Sequence, residues 1–103
     1  MNERVMTMAI SSRVAIRPDV LARSVGEETV ILDLSSGTYF GLDPVGARIW
    51  KLIGNAKDAG CALDDVRDAM LAEFDVSRDD LERDLVRLAE ELRAQKLIEV
   101  VDG

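Results

Sequence analysis

The stretch TVILDLSSGTYFGLDP, residues 29–44, constrains this chain more than any other, because it holds a strand, a turn, a returning strand and a helix start with no spare residue between them. Thr29 to Leu34 puts Val30, Leu32 and Leu34 on one side and Ile31 and Asp33 on the other, the period of two shown by a strand with one buried face. Ser35-Ser36-Gly37 supplies turn chemistry, with Gly37 free to take a positive φ. Thr38 to Leu42 then returns as the antiparallel partner. Thr38, Phe40 and Leu42 share a face and Tyr39 and Gly41 take the other, so one aromatic can enter the core while its neighbour stands outside. Asp43 is a strong helix N-cap, and Pro44 suits the first helical position, where its missing N–H costs nothing. The helix therefore starts at the strand's end.

Upstream, Val20 to Val25 reads as a further strand closed by a turn at Gly26-Glu27-Glu28. Downstream, Val45, Ile49, Leu52 and Ile53 follow helical spacing with Trp50 beside them, and Gly54-Asn55 marks the stop. A second helix fits Leu63 to Phe74, its apolar stripe being Leu63, Val66, Met70 and Phe74, with Asp64, Asp65, Asp68 and Glu73 on the wet side. Ser77 caps a third helix, with Asp80 in a capping-box position and Leu81, Leu85, Leu88 and Leu92 along one face. Ile98 to Val101 adds a short terminal strand. The reading is one α+β domain over residues 1–103: a three-stranded antiparallel N-terminal sheet followed by three helices, with residues 1–13 as a loose N-terminus.

Composition narrows the chemistry. The 103 residues carry a net charge of −7, so phosphate neutralisation by Lys and Arg would work against a repulsive field. The chain has no histidine, which removes Ser/His and Cys/His dyads and imidazole metal sites together. Cys61 is the single cysteine and reads as a small packed residue before a helix. The carboxylates Asp64, Asp65 and Asp68 read as a solvated face; no catalytic residue, metal site or cofactor is expected. No run of about 18 apolar residues offers a membrane span, no secretory signal is visible, and a cytoplasmic location is expected.

In its order of hairpin, capped helix, acidic helix and leucine-striped helix, the chain resembles the PqqD-like family, the winged-helix-like proteins also called RiPP recognition elements. The carrying residues are Gly37-x-Tyr39-x-x-Leu42-Asp43-x-x-Gly46-x-x-Ile49-Trp50, then Glu73-Phe74-Asp75-Val76, then Asp84-Leu85 leading to Leu92, Leu97 and Ile98. The resemblance spans about Val20 to Val101 and is strongest to the stand-alone leader-recognition proteins of lasso-peptide biosynthesis. Two positions depart from the pattern: Lys96 stands where many members have glycine, and Cys61 or Ala62 replaces the usual Thr or Ser cap of the second helix.

The resemblance implies a non-catalytic module that binds the leader segment of a ribosomally made precursor peptide and presents it to modifying enzymes such as a leader peptidase, a cyclase or a radical enzyme. The leader would add as a strand to the hairpin edge and lie between that edge and the third helix. The residues implied are Thr38, Tyr39, Phe40 and Leu42 on the strand and Asp84, Leu85, Val86, Leu88 and Ala89 on the helix. Val86 and Ala89 extend the leucine stripe on one flank and Asp84 and Arg87 lie on the other; either flank can face the edge strand. Independently of the resemblance, the Thr38–Leu42 strand holds no proline and no lysine to block strand addition. The alternative is a winged-helix DNA-binding regulator. Arg83, Arg87 and Arg93 alternate with Glu82, Glu90 and Glu91, which leaves no basic stripe for a DNA groove.

Overall fold

A computed structural model describes residues 8–56 and 60–101 of the chain. The local meander forms as its sequence dictates: β2 (Val20–Val25), β3 (Glu28–Asp33) and β4 (Tyr39–Leu42) make an antiparallel sheet in the order β2-β3-β4. Gly26 (φ +64°) and Gly37 (φ +77°) occupy the left-handed region at the two turns, where a side chain would be strained. Asp33 organises the second turn. Its carboxylate accepts from the Ser35 amide at 3.0 Å, the Ser35 hydroxyl at 2.8 Å and the Ser36 hydroxyl at 3.0 Å. These donors, Ser35 foremost, favour the ionised form and hold Asp33 below its ordinary pKa.

The alternation in β3 is as read, but the face that goes inward is the shorter one. Ile31 is 0% exposed and Asp33 is buried, whereas Leu34 is exposed and Val30 and Leu32 are only half-buried. Ile31 pairs with Phe40 in register and faces the core, while the hydrogen bonds around Asp33 satisfy its carboxylate and let it follow Ile31 inward. The Leu32 side of the sheet, with Leu21 and Tyr39 beside it in the same row, remains outside.

Helix α1 (Pro44–Asn55) starts at Asp43, whose Oδ1 accepts the Gly46 amide at 2.8 Å. Gly46 is buried against that cap, since a Cβ there would stand 3.2 Å from Leu42 Cδ2 and 3.3 Å from Asp43 Oδ1. Ile49, Trp50 and Ile53 turn inward, and Val45 stays exposed. Helix α2 (Leu63–Glu73) has Ala62 as its N-cap residue and no side-chain cap bond; it packs Leu63, Val66 and Met70 into the core. Helix α3 (Arg78–Ala94) is capped by Ser77, whose Oγ accepts the Asp80 amide at 3.4 Å. Asp80 completes no capping box: its carboxylate meets Arg83 at 3.3 Å. The buried row of α3 is Leu81, Leu85, Ala89 and Leu92, so Ala89 takes a core place and Leu88 turns to a half-buried flank.

A second sheet contains the terminal strand read from the sequence and two strands that it did not show. Strand β1 (Arg13–Ile16) sits between β5 (Cys61–Ala62) and β6 (Ile98–Val100), each pairing antiparallel with it. The loose N-terminus expected over residues 1–13 falls partly outside the described residues; within them, Met8 is buried in the core and Arg13 opens β1. Cys61 is half-buried in β5, and burial, reinforced by Asp65, raises its thiol pKa. Ion pairs fasten the helices together. Arg48 of α1 donates from Nε to Glu73 of α2 at 2.8 Å, and Arg67 of α2 bridges to Glu82 of α3 at 2.6 Å. The shared core joins Val14, Ile31, Ile53, Leu63, Met70, Leu85, Leu92 and Ile98, each of which contributes about 1.5–3 kcal/mol on full burial.

Candidate functional site

Strand order leaves β4 at the sheet's edge. The Asp33 amide donates to the Thr38 carbonyl at 2.9 Å, which makes Thr38 a hydrogen-bonded position opposite β3. Bonding positions alternate in an antiparallel pair, so Phe40 and Leu42 also turn their backbone groups toward β3, while Tyr39 and Gly41 turn theirs outward. The edge thus presents two N–H and two C=O groups in a row.

Beside this edge lies a groove of about 330 Å³ between β4, the first turns of α1 and the flank of α3. Its apolar lining is Phe40, Leu42, Val45, Ile49 and Leu88; its polar lining is Asp43, Asp84, Arg87 and Glu91. The four α3 residues recur at i, i+3, i+4 and i+7, one stripe of a helix. The choice between the flanks is settled geometrically: the Asp84 flank faces β4. Arg87 donates from Nη2 to Asp84 at 3.2 Å.

The residues proposed from sequence therefore divide. Phe40, Leu42, Asp84 and Leu88 converge on the groove. Thr38 sits in the turn, where its hydroxyl lies 2.7 Å from that of Ser36. Tyr39 contributes backbone groups to the edge, but its ring is 77% exposed on the outer face, beside Leu21, Val30 and Leu32. Leu85 and Ala89 are buried in the core and reach no groove surface. Val86 lies on the opposite flank of α3, in a separate cleft with Ile10, Glu82 and Glu90. The leucines of α3 face the core, and this rotation carries Val86 away from the β4 edge. Val45, Gly46, Ile49, Arg87 and Glu91 were outside the proposed set. Helical spacing from Asp84 and Leu88 points to the last two.

Three arginines on the outer surface of α3 are each matched by a carboxylate. Arg78 meets Glu82 at 3.4 Å, and Arg83 and Arg87 meet Asp80 and Asp84. Among the described residues, no group of three His, Cys, Asp or Glu side chains is placed to hold a metal ion, and no helix is long and apolar enough to cross a membrane.

An α+β domain of this kind, with an open edge strand flanked by a helix groove, is winged-helix-like in class. The chain is a member of the PqqD family, described as coenzyme PQQ synthesis protein D, whose profile matches residues 28–98. Two solved structures are similar over nearly their whole lengths. TbiB1 in complex with the TbiA(beta) leader peptide is 37% identical with a TM-score of 0.73, covering 86% of this chain and 99% of that one. A lasso peptide synthetase B1 complexed with the leader peptide is 26% identical with a TM-score of 0.66, covering 84% and 96%. A search of curated proteins finds no match.

Proposed function

We propose that this protein binds the leader segment of a ribosomally made precursor peptide in lasso-peptide biosynthesis, holding it as an added strand on β4. The observation that carries the reading is the free β4 edge facing α3 across the groove, in a chain whose two structural relatives were solved with leader peptides. Backbone hydrogen bonds to Tyr39 and Gly41 supply affinity irrespective of sequence, and the side chains that enter the groove supply choice. In an added strand, directly opposed residues share a face, so peptide residues opposite Phe40 and Leu42 point into the groove. Those opposite Tyr39 and Gly41 point to the outer face.

The protein acts as a recognition module without catalysis of its own, and delivers the bound peptide to separate modifying enzymes, with a leader peptidase or a cyclase as the natural recipients. It works in the cytoplasm, where precursor peptides are made. Binding to duplex DNA is disfavoured by the net charge of −7 and by the paired arginines of α3.

Amide hydrogen exchange during titration with the TbiA(beta) leader, and with the leader from this chain's own biosynthetic locus, tests the reading. Saturable binding that slows exchange at the Tyr39 and Gly41 amides is expected. A folded protein that binds neither peptide, or that gains protection elsewhere and none on β4, would overturn it.

A further inference from the structure

The groove exists because of its open strand edge and its apolar floor; its charge decides which guest it prefers. Three carboxylates, Asp43, Asp84 and Glu91, line it against one guanidinium, Arg87. Arg87 is engaged with Asp84 at 3.2 Å, so these two largely cancel. Asp43 is turned toward the helix start, with Oδ1 on the Gly46 amide. Glu91 is left: exposed, at the groove wall one turn beyond Leu88, its carboxylate without a hydrogen-bond or ion-pair partner among the described residues.

The floor beneath it is apolar, with Ile49 buried and Phe40 and Leu88 half-buried. A side chain entering over such a floor does best with an apolar stem and a charged tip. Lysine and arginine have that form: the methylenes cover apolar surface while the head stays at the wet rim. A carboxylate in the same place would lose hydration and meet the same sign of charge, from the groove and from a protein carrying −7 overall.

We infer that the groove selects strand-forming peptides that carry a lysine or arginine on the side facing α3, and that Glu91 is the residue that reads that charge. The inference rests on the strand-addition reading above and adds to it the class of sequence selected. A second consequence concerns rate: association with basic peptides should be fast at low salt and slow as ionic strength rises, because the field that draws them in is screened.

The experiment uses the full chain and a display library of random-sequence peptides long enough to form a strand, selected in parallel against the wild type, Glu91→Gln and Glu91→Lys. Glu91 is exposed, so all three proteins should melt alike, and melting is measured alongside. Peptides enriched by the wild type should carry Lys or Arg at alternate positions, and Glu91→Lys should lose that preference or replace it with Asp or Glu. In direct titration, Glu91→Gln should weaken the enriched basic peptides about two- to fivefold, the range of a partly exposed ion pair. Peptides enriched equally by all three proteins, with unchanged affinities and no basic position, would overturn the inference and leave strand capture standing. Failure of the wild type to enrich any peptide, in the same selection, would remove both together.

Discussion

The two sheets of this small domain are built on opposite plans. The sheet β2-β3-β4 is a meander of consecutive strands, with β4 open at its edge and Leu21, Val25 and Tyr39 exposed on its outer face. The sheet β5-β1-β6 gathers strands from the beginning, middle and end of the chain, and its central residues Val14, Ala15 and Ile98 are almost wholly buried. One sheet closes quickly from local contacts and keeps surface available; the other needs the whole chain and gives its apolar residues to the core. Holding the molecule together and, in the proposed function, holding a partner thus fall to different strands, and Val20, Ile31, Phe40 and Leu42 connect the meander to the core.

That division can be broken from either side. Ile98→Ala empties a fully buried place in the closed sheet and should lower unfolding free energy by about 2–5 kcal/mol, read by denaturant titration. Whatever folded protein remains should bind peptide normally. Phe40→Ala spans the division: its half-buried ring packs on the core and lines the groove, so a loss of about 1–3 kcal/mol in stability and a clear loss of peptide affinity are expected together. Gly41→Pro should separate them. Its N–H points away from β3, so the ladder loses no bond and the melting temperature should hardly move, yet peptide affinity should fall about tenfold through a blocked edge. Equal affinity in Gly41→Pro and wild type would show that β4 is not the docking edge.

Two smaller effects sharpen the picture of the closed sheet and its helices. Lys96 has a φ of +63° at the turn from α3 into β6, a left-handed conformation that favours glycine. Lys96→Gly should therefore raise stability by about 0.5–1 kcal/mol, seen as a higher melting temperature. The least effect concerns pH. Arg48 lowers the Glu73 pKa, and the Ser35 and Ser36 hydrogen bonds lower that of Asp33. A lowered folded pKa means stability that is present above the unfolded value and lost as pH falls through the folded one. Melting temperature should fall as pH drops below the ordinary carboxylate range, and Arg48→Ala should flatten the share due to Glu73 while leaving the share due to Asp33.

How far the sequence foretold all this follows the same division. The meander, the Asp43 cap, α1, α2 and α3 rest on short-range signals: alternation, turn residues, caps and helical stripes. Strand β1 carries no such signal. Arg13-Val14-Ala15-Ile16 is too short to show a period, and its partners lie more than 45 residues away at Cys61 and Ile98–Val100. In β3 the sequence specified two faces without saying which is buried, because burial of Asp33 depends on hydroxyls that come two and three residues later. On α3 the groove stripe Asp84, Arg87, Leu88 and Glu91 was half visible, as was its rival through Val86. The rotation that decides between them comes from packing Leu81, Leu85, Ala89 and Leu92 against the core, which no window of α3 alone contains.

The pairing of β1 with β6 also brings the first strand of the fold against its last. The Val101 amide donates to the Arg13 carbonyl at 2.9 Å, so the first strand of the fold and its last stand side by side. Everything between them is a closed excursion that leaves this seam and returns to it, with the β4 groove on neither of its strands. The seam can therefore be altered without touching the residues that line the groove.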